Sequence, residues 1–131
     1  MSSPDITPED IPLVETSQGS PAHDLLAAAR DPESDAMYRS IWADFHDQLP
    51  PRIEALGAFT DSDLLKAELH SLRGMSAQFG LFLLEIYLFA WEVKTPDPVA
   101  ESPRFLPGAS TIARRSMEAL EQAFPYLKAS A

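Results

Sequence analysis

Leu65, Leu69, Leu72, Ser76 and Phe79 recur at intervals of four, three, four and three. That spacing is the pitch of one face of an α-helix, and it constrains the fold more than any other feature of the chain. Asp61 or Ser62 can cap the helix at its start, and Gly80 falls where a left-handed C-terminal cap belongs. A second helix is expected at once, from Leu81 to about Val93. It is apolar nearly all round, which suits a helix buried at the centre of a bundle; the alternative is a part-exposed docking or dimer surface. Upstream, Met37, Ile41, Phe45 and Leu49 lie four apart and mark a helix beginning near Ser34 or Asp35. Pro50 and Pro51 interrupt it, and helical spacing resumes at Ile53, Leu56 and Phe59, giving one kinked helix or two with a tight joint. Residues 95–108 hold Pro96, Pro98, Pro103, Pro107 and Gly108 and are expected to form a loop. Ser110 then caps a last helix to about Leu127, with Ile112, Met117, Leu120 and Phe124 on its apolar side. No stretch alternates with period two, and there is neither an internal repeat nor a Gly-rich phosphate loop.

The expected fold is therefore all-α, an antiparallel four-helix bundle over residues 34–131. Residues 1–33 are read as an N-terminal arm. Pro4, Pro8 and Pro12 stand there among acids and serines, and Ile6, Ile11, Leu13 and Val14 could pin part of it to the body. Pro21 followed by Ala22–Ala29 can form a short extra helix, ended by Asp31 and Pro32.

Charge and composition narrow the function. Twenty acidic residues face ten basic ones, a formal charge of −10, whereas nucleic-acid binding needs clustered cations. No nucleic-acid partner is expected, and a protein partner should offer a basic or apolar face. The absence of cysteine rules out disulfides, thiolate metal sites and thiol catalysis. Met1–Glu9 lacks the pattern of a signal peptide. The longest apolar run, Leu81–Trp91, is interrupted by Glu85 and is shorter than the roughly 20 residues that span a bilayer. A soluble, cytoplasmic protein without membrane contact is expected.

In projection, His70 lies about 140° from the centre of the apolar stripe, at about 100° per residue. Asp63, Lys66, Arg73, Gly74 and Ala77 share its outer arc. The helix thus offers an imidazole to solvent with one cation a turn before it and one a turn after. A neutral imidazole nitrogen is a good nucleophile near neutral pH. Once phosphorylated, it would become anionic, and Arg73 and Lys66 could neutralise it. Gly74 and Ala77 leave space above the ring, although glycine inside a helix costs about 1 kcal/mol relative to alanine. Two plainer readings stand beside this one. An exposed helical histidine is usually a surface residue, and a glycine can serve close helix packing.

The segment His70-Ser71-Leu72-Arg73-Gly74-Met75-Ser76-Ala77-Gln78-Phe79-Gly80 resembles the signature of bacterial histidine-containing phosphotransfer (HPt) domains. That signature reads His-x-Leu-Lys-Gly, then small residues, an amide, an apolar residue and Gly. The resemblance extends over Leu64–Glu92 and more loosely over about residues 35–127. It implies that His70 is the phospho-acceptor, Arg73 the cation after it, Gly74 the access glycine and Gly80 the turn into the next helix. It also places at Glu92 a residue that hydrogen-bonds the imidazole and fixes its tautomer. Two departures matter. Arginine replaces the usual lysine, and a guanidinium binds phosphate as a fork. Pro50-Pro51 falls where many members run a straight helix.

The implied function is a phosphorelay intermediate that exchanges a phosphoryl group between His70 and an aspartate of a response-regulator receiver domain. A hybrid histidine kinase is a second candidate partner. The chain would hold no cofactor or metal and have no kinase machinery, because the receiver supplies the metal ion and the acidic pocket. The alternative is an HPt-like module that regulates partners by docking alone, without phosphorylation. His23 and His46 lack a second ligand at metal spacing and are read as surface residues.

Overall fold

The computed structural model describes Val14 and residues 32–123, with side chains for Val14 and from residue 40 to residue 122. The short helix expected at Ala22–Ala29, His23, and the apolar positions Met37 and Phe124 lie outside the described side chains. Among the described residues the protein is all-helical and compatible with a helical bundle. Four α-helices follow one another: α1 (Pro32–Ala55), a 3-10 turn (Leu56–Ala58), α2 (Ser62–Gln78), α3 (Phe82–Val93) and α4 (Ser102–Ala123).

Helix α1 runs through both prolines without a break. Pro50 and Pro51 leave the carbonyls of His46 and Asp47 without their helical donors. All four residues sit at least partly in solvent, where water can satisfy those oxygens. The buried face also differs from the four-apart pattern. Ile41 is 42% exposed while Trp42 is 1% exposed, and the stripe that enters the core is Trp42, Phe45, Leu49, Ile53 and Leu56. Steps of four advance about 40° too far each time, so a strict four-residue repeat walks off the core face.

Helix α2 follows its expected course. Asp61 Oδ1 accepts from the backbone N–H of Asp63 (2.8 Å) and Leu64 (3.1 Å), capping the first turn. Leu65, Leu69, Leu72, Ser76 and Phe79 are all buried. Ser76 is tolerated there because its hydroxyl donates to the Leu72 carbonyl at 2.8 Å. At the far end Gly80 adopts φ 70°, Leu81 N–H bonds the Ser76 carbonyl at 2.9 Å and Gly80 N–H the Ala77 carbonyl at 3.1 Å. This pair of bonds is the Schellman arrangement, which closes one helix and turns the chain directly into α3. At the opposite end Ser62 Oγ donates to Asp97 Oδ1 at 2.6 Å, tying the start of α2 to the segment after α3.

Helix α4 starts eight residues before Ser110, within the segment expected to be a loop. Pro103 lies in its first turn, where no N–H is required, and Pro107 follows one turn later. Gly108 is a packing glycine. Tyr87 Oη donates to the Phe105 carbonyl at 3.0 Å, and a Cβ on residue 108 would overlap that hydroxyl. Ser110 accordingly is no cap; its hydroxyl donates to Glu54 Oε1 at 2.6 Å.

The core has two aromatic groups. Phe79 stacks on Phe45 (4.6 Å between centroids) and meets Trp42 edge-on (5.3 Å), joining the end of α2 to α1. Phe105 stacks on Trp91 (5.6 Å) and meets Tyr87 (5.4 Å), joining α4 to α3. Both indoles are satisfied: Trp42 Nε1 donates to Glu121 and Trp91 Nε1 to the Pro98 carbonyl. Val14 packs against this core. As expected, α3 contributes heavily to it through Leu83, Leu84, Tyr87, Leu88 and Trp91, but Phe89 and Val93 stay exposed.

Candidate functional site

His70 stands in the middle of α2, opposite its buried stripe, with 67% of its side chain exposed. Position in the helix fixes this: Leu69 before it and Leu72 after it are both buried.

The ring's inner nitrogen has two neighbours. Arg73, one turn later, brings Nη2 within 2.9 Å of His70 Nδ1. Glu92, from α3, brings Oε2 within 3.5 Å of the same nitrogen. Arg73 Nη1 also lies 3.5 Å from Glu92 Oε1, and its guanidinium sits 4.9 Å above the Phe89 ring. Glu92 is only 15% exposed, and its Oε1 is buried without a hydrogen-bond partner among the described residues. Nothing among the described residues hydrogen-bonds Nε2, the outer nitrogen.

Arg73 is thus no free surface cation. Its guanidinium is held between His70, Glu92 and Phe89, and the side chain is only partly exposed. Lys66, the other cation expected beside the ring, makes no hydrogen bond or ion pair with His70. Its charge acts instead on Asp97, whose carboxyl is held below the usual carboxylate range, chiefly by the Ser62 hydroxyl, then by the Ala100 N–H.

Gly74 is exposed, and a Cβ built on it would meet nothing within 4 Å. Close packing of helices therefore does not account for this glycine. Ala77, one turn further, is partly exposed, so small residues continue along the helix beyond the ring.

A second cluster, built from residues far apart in sequence, flanks the site. Arg52, directly after the proline pair, makes a two-pronged contact with Glu68, Nε to Oε2 and Nη2 to Oε1, both at 2.9 Å. Its Nη1 reaches Met75 Sδ at 3.0 Å and Nη2 reaches Ser71 Oγ at 3.4 Å. The hydrogen bond to Glu68 raises the Arg52 pKa. Arg52 thereby ties α1 to the residues on either side of His70. The partners lie 16 residues or more apart in sequence, so no local pattern could have pointed to them.

His46 is half-exposed, with Asp47 Oδ1 at 3.7 Å and Glu121 Oε2 at 3.9 Å. Among the described residues no three His, Cys, Asp or Glu side chains are grouped to hold a metal ion, and no helix is long and apolar enough to cross a membrane. A recess of about 220 Å³ between α1 and α4 is lined by Pro50, Ile53, Ser110, Ala113, Arg114 and Met117, and it contains none of the residues around His70.

Comparison with known proteins finds no matching family model, no matching curated protein and no matching solved structure.

Proposed function

We propose that the chain is a phosphorelay intermediate of the histidine-containing phosphotransfer type. In this reading it is an antiparallel four-helix bundle in the cytoplasm that carries a phosphoryl group on His70. The group is exchanged with an aspartate of a response-regulator receiver domain, and a hybrid histidine kinase is a further candidate donor. The observation that carries the reading is the asymmetry of the His70 ring. Nδ1 is engaged from within the protein by Arg73 and Glu92, while Nε2 points away from every described partner. A nucleophile that must enter another protein's active site needs this polarity: one nitrogen held for orientation, the other turned outward to where a partner can reach it.

Three further features support the reading. The open position beside Gly74 gives an incoming active site room over the ring. Arg73 is one turn away and can turn its fork toward phosphoryl oxygens. Phe89 offers an exposed apolar surface next to Arg73. Lys66 and Ala77 belong to the same helix face but make no hydrogen bond or ion pair with the ring.

The test is transfer of radiolabelled phosphate from phosphorylated receiver domains of the same genome. Wild-type protein should take up acid-labile, base-stable label. His70→Gln should take up none while keeping its helical circular dichroism. Label retained by His70→Gln, or found on His46, would remove the assignment. Binding of receivers without labelling would point to the docking-only module.

A further inference from the structure

The two neighbours of His70 Nδ1 make opposite demands on it. A guanidinium has donors and no acceptor, so the 2.9 Å contact from Arg73 Nη2 makes Nδ1 an acceptor. A neutral ring whose Nδ1 accepts must carry its proton on Nε2. Glu92 makes the contrary demand. An ionised carboxylate only accepts, so a hydrogen bond from the ring to Oε2 requires the proton on Nδ1 and leaves the Nε2 lone pair free. The distances rank the two. Arg73 is at full hydrogen-bond length, and Glu92 at 3.5 Å is at the outer limit. The carboxylate is also under-satisfied, since Oε1 is buried with no hydrogen bond and the guanidinium lies 3.5 Å away.

We propose that Arg73 is a positioning residue that holds His70 in its unreactive tautomer at rest, and that His70 becomes nucleophilic when Arg73 leaves Nδ1 and Glu92 takes its place. The inference rests on the phosphotransfer reading above and adds to it an arginine that switches the ring. The natural trigger is the phosphoryl group itself. Its oxygens are ionic acceptors that a guanidinium binds with two prongs, a stronger contact than one bond to a neutral ring nitrogen. As Arg73 turns to the incoming phosphoryl group, Nδ1 is released, the ring proton passes through solvent from Nε2 to Nδ1, and Nδ1–H donates a hydrogen bond to Glu92 Oε2. The Nε2 lone pair then attacks phosphorus. The N–P bond forms, the P–O bond to the receiver's aspartate breaks, and the aspartate leaves as a carboxylate with the bonding pair. No proton need leave the ring in that step, because the cationic phosphoimidazole keeps its Nδ1 proton against Glu92. The device would keep the exposed imidazole unreactive toward anything that does not present a phosphoryl group.

The test reads the tautomer directly and needs no phosphodonor. Two-bond ¹H–¹⁵N correlation spectra of the full chain are recorded on the alkaline plateau, where ring shifts no longer change with pH. His70→Gln identifies the resonances. Wild type should show a pyrrole-type Nε2 and a pyridine-type Nδ1. Arg73→Met removes the guanidinium but keeps an unbranched side chain, and the pattern should invert. Arg73→Met/Glu92→Ala should lose the inversion, since no acceptor then favours Nδ1–H. A wild type with its proton on Nδ1, or an Arg73→Met spectrum unchanged from wild type, overturns the gate. Should Arg73→Met unfold, addition of inorganic phosphate to wild type provides the second arm: movement of the pattern toward Nδ1–H supports the gate, and no movement at saturating phosphate counts against it. Failure of receiver labelling would remove the transfer reading and leave these spectra as they stand, so the two failures are distinguishable.

Discussion

The hydroxyl of Tyr87 occupies the place where a side chain on residue 108 would begin, and from there it donates to the Phe105 carbonyl. The glycine, the phenol and the carbonyl form one packing unit between α3 and α4. Gly108→Ala should therefore destabilise the protein by about 1–3 kcal/mol, the usual range for forcing an extra carbon into a filled core. Intrinsic helix propensity alone would favour alanine there. The midpoint of urea unfolding measures the balance. A midpoint at or above that of wild type would mean that Tyr87 moves aside at no cost.

Gly74 should respond in the opposite sense. A methyl group there meets nothing, so Gly74→Ala should stabilise the fold by about 0.5–1 kcal/mol through helix propensity. Gly74→Leu should be similarly tolerated in unfolding experiments. It should nevertheless cut the rate of label transfer from a phosphorylated receiver by an order of magnitude or more, because its side chain would stand beside the attacking ring. Normal transfer by Gly74→Leu would deprive the glycine of any role in access.

The Arg52–Glu68 contact should behave as a partly exposed, two-pronged ion pair. A double-mutant cycle of Arg52→Met and Glu68→Gln should give a coupling of about 0.5–1 kcal/mol, smaller at high salt. Each single variant should also shift amide resonances of Ser71 and Met75, which share the guanidinium. An absence of coupling at low salt would reduce the cluster to a surface feature.

Asp97 makes one pH-dependent contribution to stability. Its pKa is lowered, first by the Ser62 hydroxyl, so its contribution to stability is present above the ordinary carboxyl range and is lost as pH falls through the lowered value. Ser62→Ala should move the Asp97 titration upward toward the ordinary value, as followed by the carboxyl ¹³C shift. An unchanged titration would assign the depression to the backbone donors instead.

The parts of the fold that could be read from the sequence are those whose signals are local. Asp61, the stripe from Leu65 to Phe79, and Gly80 define α2 because cap, face and stop all lie within it. The start of α4 was hidden because Pro107 and Gly108 are local signs of a loop, and the reason for Gly108 is a tyrosine on another helix. On α1 the expected positions Phe45, Leu49, Ile53 and Leu56 are buried, and only the four-residue step back to Ile41 leaves the core face, which Trp42 takes instead. At the candidate site, the outward direction of His70 and the nearness of Glu92 agree with expectation. The disposition of Arg73 does not follow from its place on the helix, since it depends on Phe89 and Glu92 across the α2–α3 interface. Arg52 was invisible for the same reason.

The clamping of α2 at both ends has a consequence for encounter with another protein. Asp61 and the Ser62–Asp97 bond fix its start, and the Gly80 turn and the Phe79–Phe45 stack fix its end. The imidazole is then mounted on a rigid post rather than on a loop that must first be ordered. Docking onto such a post gives up little chain freedom on this side. A modest, quickly separating contact would then still deliver the ring in register, as the carrier role proposed above requires.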